Sequence, residues 1–110
     1  TWRKIVADHL RRPNPPTAIF TAQNFITVGA AHALHDLDLH RRVAHVGFDD
    51  IEQAHRADPP LTTISQDLEG KGRIAARTVL DLVGGLKPRA PRLSAELVVR
   101  DSTAPPPRAR

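Results

Sequence analysis

A β-branched run that halts at a glycine and passes at once to two carboxylates, Val43-Ala44-His45-Val46-Gly47-Phe48-Asp49-Asp50-Ile51, leaves few folds open to this chain. It reads as a buried strand that delivers Asp49 and Asp50 to its carboxyl end, which is where open α/β sheets bind their ligands. After a short charged interval comes Pro59-Pro60-Leu61-Thr62-Thr63-Ile64-Ser65-Gln66-Asp67. The prolines keep the chain extended, the β-branched run makes a second strand, and Gln66-Asp67 lead out of it into a helix. Two strand ends therefore present polar groups suited to a small polyol or a similar ligand.

The rest of the chain alternates helix and strand. Trp2, Ile5, Val6, His9 and Leu10 share one helical face, closed by Arg11-Arg12-Pro13. Residues 17–21 are predicted as a short strand after Asn14-Pro15-Pro16. Ile26, Gly29, Ala30, Ala33, Leu34 and Leu37 recur at helical spacing, so a helix is predicted from about Asn24, its expected cap, to Leu37. Strands are predicted at 43–46 and 61–65, with a short helix near 51–56 between them. A long helix follows, with Leu68, Gly72, Ala75, Ala76, Val79, Leu80 and Val83 as its buried stripe and Gly84-Gly85 as its end. A loop at 87–92 leads into a last strand at 93–99 and a tail that begins Pro105-Pro106-Pro107. Strands separated by helices predict an α/β fold, a mostly parallel sheet with flanking helices.

Gly47-Phe48-Asp49-Asp50-Ile51 followed by Pro59-Pro60-Leu61-Thr62-Thr63-Ile64 resembles the C-terminal half of the effector-sensing core of LacI/GalR-type transcriptional regulators, which has a periplasmic-binding-protein-like fold. Three further segments match in the same order. Residues 16–24 resemble the family strand that ends in a polar pair before a helix. Residues 68–85 resemble the long helix after the crossover, and residues 95–103 resemble the terminal strand and its Arg-x-Ser-Thr tail, here Arg100-Asp101-Ser102-Thr103. The family's core has two similar lobes, and the chain crosses between them three times. The resemblance implies that residues 1–60 are the later part of the C-terminal lobe, 61–104 the crossover and final strand-helix-strand elements, and 105–110 a disordered Pro/Arg tail. The sequence starts at Thr1 and contains no methionine, so it is expected to be a piece of a longer protein.

The same resemblance assigns roles to residues. A carboxylate accepts paired hydrogen bonds from vicinal hydroxyls, and the family places an effector-binding carboxylate at the first Asp after Gly-Phe, here Asp49. Asp49 has a structural alternative as cap of the following helix, a role that suits Asp50 better. Gln23 and Asn24 stand where the family commonly has Asn-Asp, the first of which touches the effector. Gln66 and Leu68 match crossover positions that line the cleft, and Leu68 also begins the apolar stripe of its helix. The helix from Asn24 and the short segment after the Asp pair form the dimer interface in the family. A two-fold homodimer is therefore expected, with Ile26, Val28, Ala30, Ala33 and Ala57 at or near the contact.

Composition excludes several other classes. The net charge of +4 is spread over separate pairs, Arg3-Lys4, Arg11-Arg12 and Arg41-Arg42, together with the cations of the tail at Arg108 and Arg110. That dispersal is a solvated surface and not a nucleic-acid face. DNA would be reached only through a headpiece that lies upstream in the resembled family. Zero cysteines exclude disulfides and thiolate metal sites and fit a reducing, cytoplasmic setting. No apolar run reaches the length of a membrane span. His32 and His35 are three apart on one helix without a carboxylate set, and His9, His40, His45 and His55 lie in other elements, so no metal is expected. No nucleophile turn and no phosphate loop is present, so neither an enzyme nor a cofactor is expected.

The reading is thus the ligand-sensing and dimerisation part of a LacI-type DNA-binding repressor whose effector is a small sugar or sugar derivative. In such a protein the effector shifts the relative orientation of the lobes and so alters the grip of the headpieces on operator DNA. The alternative is a periplasmic sugar-binding protein of a transport system. The Pro-Pro-Leu-Thr-Thr-Ile run and the Arg-x-Ser-Thr tail favour the repressor.

Overall fold

The computed structural model describes residues 1–108. It divides into two compact units, one formed by Thr1–Ser65 with the chain from Leu97 onward, the other by Gln66–Glu96.

In the first unit, α1 (Trp2–Leu10) starts where the Thr1 hydroxyl accepts from the Lys4 amide, and it buries Ala7 and Leu10. Strand β1 (Ala18–Thr21) leads into α2 (Asn24–Asp36), then β2 (Ala44–Phe48), the short α3 (Glu52–Arg56) and β3 (Thr62–Gln66). After α4 (Leu68–Val83), β4 (Ala95–Val98) completes a four-stranded sheet in the order β1-β2-β3-β4. Strand β2 runs parallel to both β1 and β3, with Thr21 opposite Gly47 and Phe48 opposite Ile64. Helices therefore carry the chain back between parallel strands, as the alternating pattern requires. Because β1 and β2 are parallel, the strand ends that lead to Gln23 and Asp49 come out at the same, carboxyl end of the sheet.

Leu10, Leu34 and Val43 form a buried cluster, with Val6, Ile19, Leu37 and Leu39 packed against it. Two glycines are fixed by contact distance. A Cβ on Gly29 would lie 2.8 Å from the Trp2 Cβ and 3.0 Å from the Arg3 backbone nitrogen, so α1 and α2 can cross this closely only without a side chain there. A Cβ on Gly47 would lie 3.0 Å from Leu61 Cδ2 and 3.1 Å from Thr27 Cγ2, which accounts for the glycine that precedes Phe48-Asp49.

In the second unit, Asp67 caps α4 by accepting from the Gly70 amide at 2.9 Å, and the helix ends at Gly84, with Gly85 at φ 78°. The apolar stripe expected to be buried along α4 is not. No residue of the helix is buried, and Leu68, Val79, Leu80 and Val83 are all exposed. The less exposed positions of the helix, Gly70, Ile74, Thr78 and Asp81, recur on a different face from the expected stripe, so periodicity found an amphipathic helix without finding the face that this chain covers. Beyond Ala104 the tail has no regular structure through Arg108, and the last two positions of the expected tail, Ala109 and Arg110, lie outside the described residues.

Replacing Gly29 by valine should destabilise the protein. Overpacking of this kind costs about 1–3 kcal/mol, and the small gain in helix propensity over glycine does not offset it. Urea denaturation of Gly29→Val should give a loss of about 2 kcal/mol, and an unchanged midpoint would show that α1 and α2 can separate freely.

Candidate functional site

Past the end of β1, Gln23 has extended backbone (φ −153°, ψ 143°) and its side-chain oxygen accepts from the amides of Phe25 at 2.8 Å and Ile26 at 3.2 Å. Gln23 is therefore the cap of α2, and Asn24, the expected cap, is the first helical residue. The first amides of a helix lack partners, and the glutamine side chain is long enough to reach two of them from the capping position. The cap uses the side-chain oxygen of Gln23 and not its carboxamide nitrogen.

On the neighbouring strand, Asp49 sits at φ 72°, in the left-handed region. A residue with a side chain holds that conformation at a cost of roughly 1–2 kcal/mol, which Asp tolerates better than most. The Asp49 amide donates to the Ile64 carbonyl at 2.9 Å, so the parallel pairing of β2 with β3 extends one residue beyond Phe48 before the chain turns.

The next residue does not play the capping role expected of it. Helix α3 has Ile51 at its cap position with no side-chain cap bond, and the Asp50 carboxylate is engaged elsewhere. Arg100 donates to it through both guanidinium arms, at 2.7 Å and 2.9 Å, and the Thr63 hydroxyl donates at 2.8 Å. His55 Nε2 lies 3.2 Å from the same carboxylate. A charged fork outcompetes neutral peptide amides for a carboxylate. The hydrogen bonds from Arg100, opposed by burial and aided by Thr63, hold the Asp50 carboxyl at about 2.

The Arg-x-Ser-Thr segment is woven into the sheet. Arg100 also donates to the Leu61 carbonyl at 2.7 Å, and its backbone nitrogen donates to the Thr62 hydroxyl at 2.9 Å. Ser102 bridges two strands. Its hydroxyl donates to the His45 carbonyl at 2.6 Å and accepts from the Thr62 amide at 2.7 Å, while its carbonyl accepts from the His45 amide at 2.9 Å. Thr103 Oγ1 lies 3.0 Å from Thr62 Oγ1. The sequence flagged these residues only as a resemblance. Arg100 and Asp50 are too far apart along the chain for spacing to pair them.

Behind the strand ends, His45 is 3% exposed, with Nε2 2.9 Å from the Thr21 hydroxyl, which in turn lies 2.8 Å from that of Thr27. Burial lowers the imidazole to about 4, so it is neutral at pH 7.

A cavity of about 410 Å³ opens between α2 and α3, and neither Gln23 nor Asp49 lines it. Val28, Ala31, Leu34, Ile51, Ala57 and Leu61 are among its apolar lining residues, and the rings of His35 and His40, which also border it, stack with centroids 3.9 Å apart. Ile26, Val28 and Ala57, expected at a dimer contact, are partly exposed. Ala30 and Ala33 are 0% exposed and so offer no surface to a second copy. Small residues at helical spacing mark a close approach, and here the approach is to the chain's own elements.

The structure thus brings Gln23 and Asp49 to adjacent strand ends in one unit. Gln66 ends β3 and Leu68 opens α4, both in the other unit. Among the described residues no three of His, Cys, Asp and Glu gather into a metal site, and no helix is long and apolar enough to cross a membrane.

Known proteins resemble the chain over nearly its whole length. The family model for a periplasmic binding protein-like domain matches residues 1–103. The HTH-type transcriptional regulator MalR of Streptomyces coelicolor is 39% identical over 97 residues, covering 83% of this chain and 28% of MalR. The HTH-type transcriptional repressor CytR of Escherichia coli is 33% identical over 104 residues, covering 91% of this chain and 30% of CytR. Among solved structures, the Lac repressor dimer bound to operator and the anti-inducer ONPF superposes with a TM-score of 0.79 at 30% identity, covering 93% of this chain and 37% of that one. The chain spans less than a third of the length of these two curated relatives. They are regulators, so the transport alternative is not favoured.

Lowering pH should destabilise the protein through His45. Its folded value, about 4, lies below the ordinary imidazole value of about 6.5, so the unfolded chain binds the extra proton first. Stability is fully present above 6.5 and is lost as pH falls toward 4. The loss between pH 7 and 4.5 should be about 2–3 kcal/mol. Urea midpoints across that window should fall for the parent and fall much less for His45→Gln, and parallel slopes would contradict this.

Proposed function

Since the chain belongs to the periplasmic binding protein-like domain family, in the form carried by LacI-type transcriptional regulators, we propose that it is the effector-sensing and dimerisation part of such a regulator. The effector is a sugar or sugar derivative. The observation that carries this reading is the pair of polar residues at adjacent carboxyl strand ends, Asp49 on its left-handed turn and Gln23 at the head of α2. A carboxylate and an amide N–H together match the donors and acceptors of a polyol. Asp49 and Gln23 are the proposed hydrogen-bonding contacts, and Gln66 and Leu68 are the proposed contacts from the crossover.

In this reading residues 1–60 belong to the C-terminal lobe of the sensor, and 61–104 supply the crossover and the final strand-helix-strand elements, with the chain from Leu97 returning to the first unit. Two copies associate through the α2 and α3 face, where Ile26, Val28 and Ala57 have surface to give. Operator DNA is gripped by a separate headpiece of the whole regulator, which works in the cytoplasm. The chain is a binding module and not an enzyme.

The test uses the full-length regulator. Monosaccharides, disaccharides and nucleosides are screened by thermal shift, and the strongest stabiliser is titrated calorimetrically into the parent, Asp49→Asn and Asp49→Ala. Loss of a charged hydrogen bond should weaken binding by about 1.5–3 kcal/mol, roughly tenfold to more than a hundredfold, with little change in melting temperature for Asp49→Asn, which tolerates the left-handed turn, and a lower one for Asp49→Ala, which does not. Unchanged affinity with a lowered melting temperature in Asp49→Asn would make Asp49 a structural residue, and a screen without any sugar binder would overturn the effector class.

A further inference from the structure

Asp49 holds its left-handed backbone between two attachments. On its own residue, the amide donates to the Ile64 carbonyl at 2.9 Å. On the next, the Asp50 carboxylate takes both arms of Arg100 and the Thr63 hydroxyl. Arg100 is itself fastened, since one arm also reaches the Leu61 carbonyl and its backbone nitrogen and oxygen both meet the Thr62 hydroxyl. Its side chain is largely buried, and so is that of Asp50. The fork therefore ties the residue immediately after the turn to the first residues of the strand that receives the turn's own hydrogen bond.

A left-handed residue with a side chain persists only where its surroundings over-determine it. The amide bond holds the backbone of Asp49 itself, and a turn of this kind can relax by rotating the next peptide unless the following residue is held as well. We infer that Arg100 is a positioning residue for the candidate ligand carboxylate: through its two-armed pair with Asp50 it holds the backbone turn at Asp49 in the conformation that the strand end presents. The functional importance of that turn rests on the proposed role of Asp49 in effector binding, whereas the clamp is a property of the chain alone.

A clamp on the turn and a mere anchor for the terminal segment differ in which amides they protect. The Asp49 amide reports the turn, and the His45 amide, which donates to the Ser102 carbonyl, reports the anchoring of the terminal segment. Hydrogen exchange on the full-length protein, read at single amides by mass spectrometry, compares the two in Arg100→Gln, Arg100→Lys and Asp50→Asn. The Asp49 amide should exchange at least about tenfold faster in Arg100→Gln and in Asp50→Asn, and by more than the His45 amide does. Arg100→Lys keeps the charge without the fork and should give a smaller effect in the same direction. If Arg100→Gln does not fold, Arg100→Lys carries the same comparison. Acceleration at His45 without Asp49, or of both in step, would reduce Arg100 to an anchor or a general stabiliser and overturn the proposal. The readout needs no effector, so its failure is distinct from failure of the binding titration.

Discussion

One guanidinium joins three parts of the first unit that the chain keeps far apart. Arg100, in the terminal segment, meets Asp50 at the exit of β2 and the Leu61 carbonyl at the entry to β3. Parallel strands need a crossover between them, so their ends are not closed by a tight turn and some other group has to register them. Arg100 and Ser102 do this from outside the β2 to β3 connection. Because both partners of the pair are largely shielded from water, its removal leaves an uncompensated charge, which is more damaging than loss of an exposed ion pair.

The interior around this pair is unusually polar. Thr21, Thr27, His45, Thr62, Thr63 and Ser102 are all buried, whereas the larger apolar cluster is confined to Leu10, Leu34 and Val43 and their neighbours. Buried hydroxyls and an imidazole stay inside only if their hydrogen bonds are made, and here each hydroxyl closes onto another, onto a backbone carbonyl or, for Thr63, onto the Asp50 carboxylate. Such a web tolerates little rearrangement. It leaves the strand ends, with Gln23 and Asp49, as polar groups on a stiff base. That suits the proposed sensing role, in which a ligand has to change the balance between whole-domain arrangements and not merely deform its own site.

Much of this was legible in sequence. The β-branched run stopped by Gly47 placed Asp49 at a strand end, and the helical recurrence from Ile26 to Leu37 located α2 to within a residue. What escaped is non-local or depends on side-chain reach. Asn24 and Gln23 are both plausible caps by position, and only the geometry decides that the longer residue reaches the free amides. Ala30 and Ala33 sit at helical spacing, but spacing cannot say whether a small face meets its own chain or another copy. The pairing of Asp50 with Arg100 leaves no trace in local periodicity, and the α4 stripe, read from apolar spacing, is exposed while Gly70, Ile74, Thr78 and Asp81 are the less exposed positions.

A double-mutant cycle across Asp50 and Arg100 tests the account most directly, because the turn, the terminal segment and the registry of β2 with β3 are all argued to hang on that pair. Urea unfolding of Asp50→Ala, Arg100→Ala and the double variant isolates their coupling from the cost of either truncation. Charge-assisted bonds in a shielded, two-armed geometry should couple by about 1.5 kcal/mol or more. A coupling below about 0.5 kcal/mol, the size usual for ion pairs at the surface, would contradict the claim that this pair holds the unit together.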